Sequence, residues 1–142
     1  MNNSIDREFQ HPGYFKSPWP VECGGNRRQK AAKGGVFARG SEAKVESVVS
    51  NKWNVMVVRR DENEFYLGGT MPYFNGPKPF GWVQRIDSES LEIINESPNL
   101  PCGDHVWCGA IAAHENGNII KVNGNYMHCL LYTSDAADEK RW

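Results

Sequence analysis

The sequence lacks an excess of charge of either sign, a long apolar run and an N-terminal targeting signal. Its 142 residues carry 16 Lys and Arg against 17 Asp and Glu, a net charge of −1, which disfavours a chain built to bind nucleic acid or an anionic membrane. The longest apolar stretch, residues 108–113, contains a glycine and is too short to span a bilayer. Because the first ten residues do not join a basic start to an apolar segment, we expect a cytoplasmic protein, or a secreted or periplasmic one if the true start lies upstream.

Helical periodicity is also missing: before residue 129 no stretch of ten residues repeats its apolar side chains every 3.6 positions. The chain instead has 14 Gly, 8 Pro, five Trp, five Tyr and six Phe, a composition typical of turn-rich β proteins. We predict strands over residues 44–49, 53–60, 65–67, 80–86, 91–95, 107–113 and 119–122, with polar turns at 61–63, 87–90, 115–118 and 123–125. Residues 1–35, rich in Gly and Pro, are predicted to form an extended arm.

A weak internal repeat organises these strands. A shift of 54 residues places Trp53 on Trp107, and each begins an apolar strand followed by a polar turn and a second strand. A four-stranded unit repeating about every 50 residues is typical of β-propellers. The run WVQRIDSESLEIINESP (82–98) resembles the outer hairpin of a propeller blade, and CGAIAAHENGNIIKVNG (108–124) resembles the two inner strands of the next blade. Both resemble blades of quinoprotein-like and lactonase-like propellers.

This resemblance implies an all-β fold of antiparallel four-stranded blades, with residues 36–128 forming about one and a half blades of an incomplete propeller. It implies a parent protein that binds a small-molecule or protein ligand or acts as a scaffold. The alternative is part of an enzyme of the quinoprotein dehydrogenase or lactonase type. The missing blades of the parent chain are then the main partners, and we expect no nucleic acid, membrane or cofactor. Without those blades the chain is expected to expose apolar faces and unpaired strand edges.

The end of the chain differs from the rest. Residues 129–139, CLLYTSDAADE, resemble one reading frame of a transposon-end sequencing adapter over eleven consecutive positions. We therefore predict that residues 129–142 are a non-native tail that interrupts the native sequence after His128, and we give them no functional weight.

The densest group of chemically versatile side chains is Cys102, Asp104, His105 and Cys108. The spacing Cys-x2-His-x2-Cys supplies three soft ligands for zinc, but His114, the only further donor nearby, would lie about 20 Å away along an extended strand. We therefore expect no metal site, with Cys102, His105 and Cys108 as weak candidates. Two structural alternatives remain open: a disulfide between Cys102 and Cys108, or two buried thiols.

Three residues are candidates for ligand binding. Asp104 and His105 lie in a loop that enters a predicted inner strand, and such loops line the central funnel of a propeller. Arg60 is the third candidate. The structural alternative is a loop aspartate that accepts backbone hydrogen bonds and a histidine satisfied by the backbone. Because no phosphate loop, nucleophile elbow or paired zinc-finger spacing is present, the catalytic residues of any parent enzyme stay unknown.

Overall fold

The computed structural model describes residues 13–17, 19–24, 44–50, 52–61, 63–71, 79–104 and 109–130. Within these ranges the chain forms a short 3-10 turn (Glu22–Gly24), two antiparallel sheets and no α-helix. The strands are β1 (Trp53–Asp61), β2 (Glu64–Met71), β3 (Phe80–Ile86), β4 (Ile93–Glu96), β5 (Leu100–Pro101), β6 (Ile111–Ala113), β7 (Ile119–Asn123) and β8 (Tyr126–Leu130). The predicted all-β antiparallel class is confirmed. Neither sheet closes on itself, and the propeller stays a prediction.

The first sheet is a meander in which the strands β1, β2, β3 and β4 are neighbours in chain order. Its register runs straight across the sheet, from Val57 to Leu67, then to Gln84 and Glu96. β5 pairs with the beginning of β3, beyond the end of β4. β4 and β5 therefore share the fourth position of the sheet.

The second sheet repeats the start of this pattern with β6, β7 and β8. The turn between β6 and β7 falls in the predicted 115–118 segment, where Gly117 has a φ of 90° that favours glycine. β8 continues through Cys129 and Leu130, which pair with Ile120 and Ile119. Any residue can pair through its backbone, so this pairing does not test the prediction that residues 129–142 are a non-native tail.

The core lies between the two sheets. Alternate residues of a strand point to opposite faces, and one face of the first sheet packs on one face of the second. The buried core residues are Val58, Tyr66, Val83, Leu100, Ile111, Ala113 and Ile119. β1 lies beside β6, and β3 contacts β7. The opposite face of the first sheet, here called the distal face, carries Val57, Leu67, Gln84, Ile86 and Ile93.

Residues 13–24 are here called the N-terminal segment, and its described residues, 13–17 and 19–24, lie against the edges of β1 and β6, the first strands of the two sheets. The Phe15 amide donates to the Ala113 carbonyl at 2.9 Å, and the Arg59 amide donates to the Trp19 carbonyl at 2.7 Å. Phe15 also packs against the core. This part of the predicted arm is therefore extended and paired with β1 and β6.

One predicted strand, at residues 44–49, does not form. Residues 44–49 alternate weakly in sequence, but residues 44–50 form no strand, and Val45, Val48 and Val49 are exposed. A strand is stable only when a neighbour pairs with its backbone, and local alternation does not supply that neighbour.

Candidate functional site

Arg60, a predicted ligand-binding residue, joins the two sheets at the end where β1 turns into β2. Its guanidinium makes two hydrogen bonds to the Glu64 carboxylate, at 2.5 and 2.9 Å, and donates to the Gly117 carbonyl at 2.5 Å. It also lies over the ring of Tyr66, 5.4 Å from the ring centre. Arg85 approaches the same carboxylate at 3.2 Å. We call Arg60, Glu64, Tyr66, Arg85 and the Gly117 carbonyl the arginine cluster.

The electrostatics of the arginine cluster favour a fixed structural role. Hydrogen bonding with Glu64 raises the pKa of the Arg60 guanidinium against the opposing effect of burial. Burial raises the pKa of the Tyr66 hydroxyl above its ordinary value. Since the donors of Arg60 are directed to Glu64 and Gly117, this residue ties the β1–β2 turn to the β6–β7 turn.

A second polar group lies at the opposite end of the sheets, after β5. Cys102 is 1% exposed and its thiol donates to the Pro79 carbonyl at 3.0 Å. Burial, with a smaller contribution from Asp104, raises the pKa of this thiol. A protonated, buried thiol is a poor nucleophile and a poor metal ligand. Its environment therefore favours a packing role for Cys102.

Two inward-facing residues of β7 complete this polar group. Asn123 is fully buried and donates from Nδ2 to the Leu100 and Pro101 carbonyls, at 3.0 and 3.3 Å. Lys121 is 1% exposed and donates from Nζ to the Val122 carbonyl at 3.0 Å. Sequence reasoning missed both residues. The signal was the alternation along β7, because Ile119, Lys121 and Asn123 share one face of the strand.

Two of the predicted ligand-binding residues, Arg60 and Asp104, do not converge. Asp104 lies after β5, at the end of the first sheet where Trp53, Thr70, Gly81 and Leu100 are in register, whereas Arg60 lies at the other end. His105 and Cys108 lie outside the described residues. The predicted grouping of Asp104 with His105 therefore stays a prediction.

The same holds for the metal and disulfide alternatives. Cys102 is a free thiol in the structure, but its proposed partner Cys108 and the third zinc candidate His105 are not described. In the described ranges, no three His, Cys, Asp or Glu side chains are grouped to hold a metal ion. The same ranges contain no helix that is long and apolar enough to cross a membrane.

The distal face of the first sheet carries an apolar groove of about 420 Å³. Residues of the 44–50 segment form one wall, and the strands β2, β3 and β4 form the floor. The lining residues are Val48, Val49, Ser50, Asn54, Leu67, Gln84, Ile86, Leu91 and Ile93. At its edge Gln84 and Lys52 both bond Glu96, whose pKa is lowered by these partners although burial opposes it. The groove offers mainly apolar surface and no grouped acid, base or nucleophile among the residues that line it.

Comparison with known proteins identifies no relative. No family model, curated protein or solved structure matches the chain.

Proposed function

We propose that this chain is part of a β-propeller of the ligand-binding or scaffold type, and that residues 53–128 contribute one blade and the first three strands of the next. The observation that carries the proposal is the order of the first sheet. Its four positions follow the chain order with antiparallel pairing, and β6, β7 and β8 begin the same order again. Radial repetition of such four-stranded sheets is the propeller architecture.

The packing of the two sheets supports the same proposal. The first strands β1 and β6 lie side by side, while β3 contacts β7, so successive units are stacked face to face. In a propeller each blade packs on a neighbour through both faces, and the innermost strands of neighbouring blades are close.

The polarity of the distal face distinguishes a propeller blade from one sheet of a complete two-layer β-sandwich. An antiparallel sheet with one face in water alternates apolar and polar residues, and its outer face is polar. Here the distal face carries Val57, Leu67, Ile86 and Ile93, of which Val57 is 40% and Ile93 is 55% exposed. We propose that this face receives the preceding blade of the same parent chain.

Within this proposal, Asp104 and His105 stay the ligand-facing candidates, because the loop that follows β5 leads into the first strand of the next unit. Arg60 is assigned a structural role instead, because Glu64 and Gly117 hold it between the two units. The ligand is a small molecule or a protein segment recognised at the loops of the first strands.

The experiment compares the self-association of two variants by sedimentation velocity. We expect the wild-type chain to associate as its concentration rises, and Val57→Lys combined with Ile93→Lys to shift it toward monomer without lowering its urea midpoint. Asn116→Lys, in the exposed β6–β7 turn, adds the same type of charge away from the distal face and is the control. A wild-type chain that stays monomeric and melts in one sharp transition would overturn the proposal.

A further inference from the structure

We propose that the N-terminal segment is an exchangeable ligand, and that residues 13–24 of one copy occupy the same position on a second copy of this chain. The receiving surface consists of the edges of β1 and β6, here called the first-strand groove. This inference does not depend on the propeller proposal, because it concerns the strand edges and not the distal face.

The contacts in the first-strand groove follow the pattern of an added strand. Ala113 both donates to the Pro20 carbonyl, at 2.6 Å, and accepts from the Phe15 amide, at 2.9 Å. The Glu115 amide donates to the Gly13 carbonyl at 2.9 Å, and the Ser17 hydroxyl donates to the Arg59 carbonyl. Main-chain hydrogen bonds of this kind hold extended peptides on exposed sheet edges.

Side chains give the N-terminal segment its specificity. Phe15 packs against the core between the sheets, which supplies an apolar anchor. The Trp19 ring lies against Gly24, close enough that a Cβ atom at position 24 would lie 3.0 Å from it. The turn at the end of the segment (Glu22–Gly24) therefore packs on the ring of Trp19. The groove consequently fits an extended peptide with an aromatic residue at the Phe15 position, and residues 13–24 are a sequence known to fit it.

The connection between the N-terminal segment and β1 permits exchange. Residues 25–52 join Gly24 to Trp53, and a chain of that many residues can reach at most about 90–100 Å. That reach exceeds the roughly 30 Å diameter of a small domain, so the length of the chain does not confine the segment to its own copy. Exchange of an identical element between copies needs no new contacts, and the second copy presents the same groove.

A disulfide trap tests the exchange directly. Val21 and Ala112 are paired residues of neighbouring strands, so Val21→Cys combined with Ala112→Cys forms a disulfide only when a segment occupies a groove. Tagged and untagged copies of this variant are incubated together and then oxidised. We expect a mixed dimer of twice the 16.0 kDa chain mass, whose share rises with concentration. Each single variant controls for the native thiols.

A peptide experiment tests the same inference without cross-linking. A labelled peptide of residues 13–24 is titrated into the wild-type chain and into the Phe15→Asp variant. In this variant the chain's own N-terminal segment binds the first-strand groove less tightly. We expect at least about tenfold tighter binding to Phe15→Asp, because an intramolecular competitor has been removed. A peptide carrying the same substitution is the control and is expected not to bind.

Two outcomes would overturn the exchange. One is disulfide formation within single chains only, at every concentration, and the other is equal binding of both peptides. Neither outcome affects the propeller proposal, because association through the distal face responds to Val57→Lys and Ile93→Lys and leaves the Val21–Ala112 disulfide unchanged.

Discussion

Asn123 lies directly over Gly81. A Cβ atom at position 81 would overlap the side-chain amide of Asn123, and that amide is held in place by hydrogen bonds to the Leu100 and Pro101 carbonyls. β3 and β7 therefore approach each other closely only because residue 81 is a glycine, and one buried side chain of the second sheet satisfies carbonyls of the first.

Gly81→Ala is expected to destabilise the chain by about 1–3 kcal/mol, because the added methyl group displaces the Asn123 amide. Asn123→Ala is expected to cost about 1–3 kcal/mol, mainly through the lost hydrogen bond to the buried Leu100 carbonyl. In the Asn123→Ala background the methyl group at position 81 has space, so the two costs should not add. Urea unfolding followed by tryptophan fluorescence measures all four proteins. Additive costs would show that the overlap does not determine the packing here.

Arg60→Ala is expected to lower the free energy of unfolding by about 1–3 kcal/mol, because it removes the paired bonds to Glu64 within the first sheet and the bond to the Gly117 carbonyl of the second sheet. Arg60→Lys should recover only part of the loss, since an ammonium group does not reproduce the paired bonds to Glu64. Lys44→Ala is the control, because Lys44 is 84% exposed and exposed ion pairs contribute little. If Arg60→Ala is as stable as the control, the structural role of Arg60 is contradicted and Arg60 is again a candidate for ligand binding.

The Asp87 carboxylate is expected to contribute to the pH dependence of the free energy of unfolding. Backbone amides of Ser90 and Glu89 donate to its carboxylate and lower its pKa. A carboxylate whose folded pKa is depressed stabilises the fold above its unfolded pKa, about 3.9, and loses that contribution as pH falls through the folded value. Asp87→Asn is therefore expected to flatten the decline of the urea midpoint below about pH 4. Glu89→Gln, in the same turn, should keep the wild-type profile, and an unchanged profile for Asp87→Asn would contradict the prediction.

Cys102 is expected to react slowly with a thiol reagent in the native chain, because burial keeps its thiol protonated. Cys129 is exposed and should react first. The native reaction is followed by mass spectrometry of labelled peptides. Labelling in urea without reductant then counts the thiols: four of the four cysteines would exclude the disulfide between Cys102 and Cys108. A count of two labelled thiols would show that the chain contains one disulfide.

Local patterns predicted much of the fold. The turn at 115–118 was predicted from the conformational freedom of glycine, and it is the turn between β6 and β7. The strand at 80–86 was predicted from a short run of β-branched and aromatic residues, and it is β3. The pairing partners could not be predicted in the same way. Residues 44–49 have the sequence pattern of a strand but form none. The N-terminal segment is rich in Gly and Pro, yet its backbone forms hydrogen bonds with Ala113 of β6.

The candidate site was harder to predict than the strands. Arg60 and Asp104 were both predicted to bind a ligand, but the ends of successive strands alternate between the two ends of an antiparallel sheet. Arg60 therefore lies at one end of the first sheet and Asp104 at the other. The contact of Arg60 with the Gly117 carbonyl depends on how the two sheets stack, which the local sequence does not encode.

The most direct measurement of the central claim is the sequence of the uninterrupted reading frame at its source, followed by small-angle scattering of the protein that it encodes. The account predicts native sequence that departs from the present chain after His128, further four-stranded units about every 50 residues, and a compact disc-shaped particle. A reading frame that keeps residues 129–142, with no such unit on either side, would contradict it.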